Sequence, residues 1–476
     1  MRPILVLALA RPTFDVPYAE DFAARAFAAL DAAGLATLGP RILLFDAASA
    51  RAAIAGVAAN AISGVLLLQV TFTDASMTVE IAKSFPNLPL GIWAFPEPRS
   101  GGRLRLNSFC GLNLAVHALG RADHAVATLY APPDDAGIGP QLRSLLMEQT
   151  LPPSRRRAAR NTGSVLAAAI DKRLAGNRIG LIGEPPVGFD TCRFEPASLK
   201  LLADVSVEPI TLTDAFERAR AVDAPTRARQ HADAIRDYQG VERLDPEQLD
   251  KSMAFQVALQ ELRTEKSLDA FAVRCWPETF TEYGCAICAP MGALTEAGIP
   301  CACEADVLGA LSSLVLQAAA DAPAWLVDIV DIDAADDTGV FWHCGSAPLS
   351  MRDPDTLARA QIHSNRKMAL LAEFTLKPGR ITIARLSQAR NHDGKTSLSL
   401  VLGGGAVIAA PMSFTGTSAV VRFDGGAANA AEVLLGEGLE HHVAMVYGEH
   451  RPALEAWAAR NTLAIIDLTL RLPDMP

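Results

Sequence analysis

The 476-residue sequence contains no stretch of the roughly 18 consecutive apolar residues that a membrane span requires. It has no surplus of basic charge: 43 lysines and arginines stand against 53 aspartates and glutamates, a net charge of −10 that offers no whole-chain attraction to nucleic acid or an anionic membrane. Biased tracts and internal repeats are missing, and with 50% hydrophobic and 20% charged residues the composition is that of a compact folded chain, not a disordered one. GLIGEPPVGF (180–189) lacks the G-x-G-x-x-G of a dinucleotide site, and its two prolines remove amides that a pyrophosphate would use. DGKTS (393–397) resembles the end of a P-loop, but Ala389 stands where that loop needs glycine, so Asp393-Gly394 reads as a hairpin turn. No G-x-S-x-G occurs, which sets aside the Ser-His-Asp hydrolase pattern.

What is present is a regular alternation. MRPILVLALARP carries too short an apolar run, interrupted by Arg11 and Pro12, for a signal peptide and reads as a buried first strand. Cytoplasm is then the expected address, with the eight cysteines as thiols. Apolar strands and alanine-rich helices follow in βαβα order (RILLFDA, SGVLLLQVTF and LPLGIWAF with helices between), the pattern of a parallel sheet covered on both faces. At ~150 residues per domain the length suggests about three units: an α/β domain over 1–155, a second over 165–348 carrying the candidate metal carboxylates, and a mainly antiparallel, barrel-like β domain over 349–476. The basic run SRRRAAR (154–160) reads as a solvated helix start beside the first linker.

Cys285, Cys288, Cys301 and Cys303 could make a tetrahedral zinc site if all four gathered, but their small apolar neighbours favour packing thiols. The informative residues are hard ligands at predicted element ends: Glu278 in RCWPETF, Glu304 and Asp306 in CACEADV, Asp328 and Asp331 in WLVDIVDID, His343 in VFWHCG, and His441-His442 in GLEHHVAM. Two or three carboxylates with one or two imidazoles suit an octahedral divalent ion such as Mn²⁺ with positions left for substrate oxygens. Taken singly each has a plainer reading: Asp306 as a first-turn acid, Asp331 and Asp333 as solvated loop acids, each histidine as a structural residue.

Several islands together resemble the L-fucose/L-arabinose isomerase family of metal-dependent aldose–ketose isomerases. CEADVLGALSSLVLQ is similar to the family's E-G-D-x-x-x-A-L segment, which places its ligand and acid/base glutamate on Glu304; the second carboxylate falls 24 residues on, at Asp328, an aspartate as in the fucose branch. GLEHHVAM resembles the arabinose-branch G-G-x-H-H-T, whose second histidine binds metal, here His442; His343 stands like that branch's other histidine ligand. GLNLAVHALGR resembles N-L-N-Q-x-A-H-G-x-R, with His117 as the histidine that reaches a neighbouring subunit's sugar and Leu114 in place of glutamine. The resemblance implies two α/β domains and a β-rich one, a monosaccharide substrate, Mn²⁺ or another divalent metal, and a homo-oligomer, trimer or hexamer. It implies Glu304 and Asp328 as acid/base groups that also bind metal, with His442 and His343 as further ligands and His117 at the sugar. Glu278, Trp276 and His441 join them as candidate sugar contacts, although Arg274 is an equally good partner for an acid. The chemistry matches: shifting a carbonyl between C1 and C2 means removing a weakly acidic C–H proton and stabilising an enediolate. Two rivals share these residues, a sugar-binding or regulatory homologue without catalysis and an epimerase or aldolase-type enzyme.

Overall fold

The computed structural model describes residues 2–147, 154–389 and 397–471; the Asp393-Gly394 turn lies outside them. Two parallel sheets and one large mixed sheet form the protein, as the strand and helix patterning implies. The first sheet runs Thr37–Leu38, Ile4–Leu9, Gly64–Gln69, Leu90–Ala94, Ala127–Tyr130, with Leu43–Leu44 pairing on Ile4–Leu9. Its three central strands are buried along their whole length, which is why they read as unbroken apolar runs. Helices Val16–Ala32 and Ser108–Arg121 cover opposite faces; Asp15 caps the former by accepting the Tyr18 N–H.

The second sheet is parallel in the order Cys301–Ala302, Ala270–Val273, Arg178–Ile182, Ser206–Ile210. The third holds a closed antiparallel ring of six strands: Trp325–Asp333, Thr338–His343, Thr417–Phe423, Ser399–Ile408, Gly379–Ser387 and His442–Tyr447, the last pairing back onto the first. Closure removes the exposed edges that an open antiparallel sheet would leave. The almost wholly buried helix Val307–Ala320 packs between this barrel and the second sheet, against His442–Tyr447 and Ala270–Val273.

Two expectations change. Trp325–Asp333 and Thr338–His343, assigned above to the second α/β unit, form an antiparallel hairpin within the barrel, so Asp328 and His343 reach the site from the third sheet. A buried barrel strand and a buried parallel strand are both near-continuous apolar runs, so composition does not tell them apart. SRRRAAR is not a helix start either: Arg156–Ala158 is an edge strand antiparallel to Ala464–Asp467. Its arginines pair with Glu437, Glu455 and Asp467, so the basic run is a cross-strand ionic seam.

Candidate active site

The site begins where the second sheet ends. After Cys301–Ala302 the backbone enters the left-handed region at two successive non-glycine residues, Glu304 (φ 58°) and Ala305 (φ 58°), before Asp306 starts the helix Val307–Ala320. An L-residue pays roughly 1–2 kcal/mol for this conformation, and such strain concentrates at functional sites. The turn has a clear geometric result. It separates two acids one residue apart, so that Glu304 lines a pocket and Asp306 is sealed on the other side.

Asp306 is fully buried and doubly engaged. Its Oδ1 accepts the Gly309 N–H, capping the helix, while Arg385, itself buried, forks onto both carboxylate oxygens. Oδ2 also accepts from His442 Nδ1 at 2.9 Å. Burial raises the carboxyl pKa, but the Arg385 charge and the His442 hydrogen bond outweigh it and hold Asp306 well below the usual aspartate range. Because Nδ1–H points at Asp306, the neutral His442 ring keeps a lone pair on Nε2, directed at Asp328 Oδ1 3.4 Å away. Asp328 and His442 are directly paired across adjacent strands, as are Asp328 and Trp342, so the barrel register fixes this contact.

On the pocket side, Glu304 Oε1 accepts from Trp276 Nε1 at 2.9 Å and Oε2 from His441 Nε2 at 3.0 Å. Burial pushes the Glu304 carboxyl up; the His441 hydrogen bond and charge, with the indole N–H, outweigh it and hold the group well below the usual glutamate range. Glu304 is therefore anchored as an anion. Asp328 differs, since its buried Oδ1 has no hydrogen-bond donor among the described residues. His343 Nδ1 accepts the Cys344 N–H at 2.8 Å, so the neutral ring carries its proton on Nε2, a buried donor without a partner in the same cluster. In this neutral tautomer His343 offers an N–H to the pocket, and the same residue belongs with Asp328 and His442 to a donor group that could hold a metal ion.

Glu304 with His441 and His442, and Asp328 with His343 and His442, each bring donor atoms within 4.8 Å of one another. The orphaned Asp328 Oδ1, the free lone pair of His442 Nε2 and the remaining lone pairs of Glu304 form a carboxylate–imidazole set that fits a hard to borderline divalent cation. The proton on His441 Nε2 is committed to Glu304, which explains why the second histidine of the pair, not the first, is free to ligate.

Other expected residues lie elsewhere. His117, expected at a neighbouring subunit's sugar and not at this pocket, is buried and hydrogen-bonded through Nδ1 to the Gly438 carbonyl; Asn107, at the start of its helix, lines the pocket, and His117 lies ten residues further, about 15 Å along the axis. Glu278 is taken up by a two-pronged pair with Arg274 at 2.6 and 2.8 Å and does not reach the pocket. Asp331 is not a solvated acid: it is buried, bound by Arg99 at 2.6 Å and by the Tyr130 hydroxyl. Nor are all cysteines thiols. Cys275 and Cys303, just beyond the ends of two paired parallel strands, form a disulfide, and Cys285, Cys288, Cys301 and Cys303 form no metal cluster among the described residues.

Sequence reasoning missed the pocket's cationic wall. Arg11, just past the end of the first parallel strand, pairs with Asp74 at 2.5 Å, and its guanidinium carbon lies 4.9 Å from the Trp276 ring. Arg366 lies 4.8 Å from the same ring and 5.2 Å from that of Phe280. Arg11 was findable, since ligand groups gather at the carboxyl ends of parallel strands; nothing local marks Arg366.

Residues 6–137 match the family model described as "Fucose/sulfoquinovose isomerase, N-terminal domain". Over 448 residues the chain is 31% identical to sulfoquinovose isomerases of Priestia aryabhattai and Priestia megaterium, spanning 94% of this chain and 94% of each relative. A sulfoquinovose isomerase of Alkalicoccus urumqiensis is 32% identical over 80% of both chains.

Proposed function

Because the chain belongs to the fucose/sulfoquinovose isomerase family, it is an aldose–ketose sugar isomerase, and we propose that its substrate is sulfoquinovose, a glucose with a sulfonate on C6, converted to the matching ketose. The observation that carries the catalytic reading is the unpartnered Asp328 Oδ1 set between His442 and the anchored Glu304 in one pocket. Glu304, Asp328 and His442 would hold a divalent cation, Mn²⁺ in our reading, which when bound supplies positive charge to stabilise an enediolate.

The hydrogen-bond inventory divides the labour between the two carboxylates. Glu304, held ionised by Trp276 and His441, is a weak proton acceptor and a strong fixed anion. Asp328 is the better placed base: no described residue donates a hydrogen bond to its Oδ1, which is left for the cation, and its second carboxylate oxygen takes the proton from C2 and returns it at C1. His343 Nε2–H donates to a sugar oxygen, and Trp276 offers the sugar an aromatic wall. His441 acts through Glu304 rather than on the sugar. A homo-oligomer, trimer or hexamer, is part of the same reading.

The test is conversion of sulfoquinovose by the Mn²⁺-loaded protein, followed by NMR beside glucose, fucose and arabinose. Formation of the sulfonated ketose, lost on EDTA treatment and regained with Mn²⁺, is the expected result. A ketose formed only from an uncharged sugar would overturn the substrate, and no ketose from any sugar would favour the binding or epimerase rivals.

A further inference from the structure

The pocket lining sets two guanidiniums, Arg11 and Arg366, beside the acids Glu304 and Asp328. Arg11 has Asp74 as its ion-pair partner. Arg366 makes no ion pair or side-chain hydrogen bond with any described residue, although it is largely withdrawn from water and lies against the same indole as Arg11. Two guanidiniums on one ring repel each other, and a half-buried cation without an ion-pair partner is stabilised when an anion joins it. The Glu304 charge favours the Arg366 cation from a distance, but its oxygens accept from Trp276 and His441, not from Arg366.

The segment that presents Arg366 is firmly built. His363 N–H donates to the Met368 carbonyl at 2.8 Å, Lys367 N–H to the His363 carbonyl at 2.7 Å, and the Asn365 and Arg366 N–H groups both donate to His363 Nδ1 at 3.3 Å. Asn365 in turn accepts from Arg103, tying the turn to the first α/β unit. Trp276 spans the interval from Glu304, which its N–H meets, to Arg366, which lies against its ring, so a substrate whose C1–C2 end sits at Asp328 extends its far end along the indole.

We propose that Arg366 is the specificity-determining residue for the substrate's anionic tail, its guanidinium binding the C6 sulfonate while Trp276 aligns the sugar chain. This assignment rests on the sulfoquinovose reading above. A guanidinium fork matches a tetrahedral oxyanion in charge and geometry, and the bond it forms is charge-assisted.

The experiment measures kcat and KM for sulfoquinovose in the wild type, Arg366→Met and Arg366→Lys, with melting temperatures to check folding. Arg366→Met should raise KM about 10- to 100-fold, with the larger part of the loss in KM, and Arg366→Lys should recover part of it. A KM within about threefold of wild type in both variants, or a loss confined to kcat, overturns the assignment while leaving the substrate reading intact. Should Arg366→Met fail to fold, Arg366→Lys decides alone: a KM raised less than in proportion to kcat loss counts against the proposal. A wild type that converts no sulfoquinovose overturns the substrate reading and this assignment together.

Discussion

Glu304 and Asp306 are separated by a single residue yet serve two different compartments. The Asp306 carboxylate itself is fully engaged: Arg385 forks onto it, His442 and the Gly309 amide donate to it, and no water-facing surface remains. Around Glu304 the pocket holds groups with unmet demands, an acceptor at Asp328, a donor at His343 and a cation at Arg366. Sealed and satisfied groups give rigidity, and unsatisfied groups beside a cavity are those that a ligand can satisfy. The contrast teaches that one charged network fixes the geometry and the other spends it on chemistry.

Removing the pocket-side acids is the severest way to break the contrast. Asp328→Asn and Glu304→Gln should each lower kcat on the order of 10²- to 10⁴-fold with little change in melting temperature, measured by NMR turnover and calorimetry. Asp306→Asn should act from the sealed side. It should cost about 3–5 kcal/mol of stability in urea titration, because Arg385 loses its forked carboxylate and keeps, among the described residues, only the Glu440 ion pair at 3.8 Å, and weaken metal affinity about 10- to 100-fold, because His442 loses its charged orienting acceptor. The pH dependence has a definite sign. Since Asp306 is depressed in the folded state, its contribution is full above the ordinary aspartate value of ~3.9 and is lost as pH falls below it; Asp306→Asn should flatten that acid limb.

Asp331→Asn sharpens the comparison on the same strand as Asp328. Asp331 is buried but already satisfied by Arg99 and Tyr130, so its loss should cost about 1–3 kcal/mol of stability and change turnover by less than about threefold. The smallest effect is expected at Ala305→Gly. Relief of a left-handed alanine should stabilise the protein by about 1 kcal/mol, read from the urea midpoint.

The layered architecture was legible because strand and helix periodicities are local properties, and Glu304, Asp328 and His442 were legible as candidates because their islands resemble a family; the structure brings them into groups that could hold a metal ion. What escaped the sequence was relational. The pairing of Trp325–Asp333 with His442–Tyr447 depends on barrel closure between segments more than a hundred residues apart. The tautomer of His343 is set by the amide of its neighbour, and the isolation of Arg366 by what lies around it in space. Asp306 was legible as a helix-start acid, but its hold on His442 needed the fold.

Asp328 and His442 sit opposite each other on adjacent strands of a closed ring, whereas Arg366 sits on a turn between Arg359–Ile362 and Ala369–Thr375, outside that ring. The proposed reacting centre and the proposed binder of the sugar's far end are thus separately mutable pieces of chain. A lineage, or an engineer, can rewrite residues 363–368 to change which tail is accepted while inheriting the proton-transfer apparatus intact.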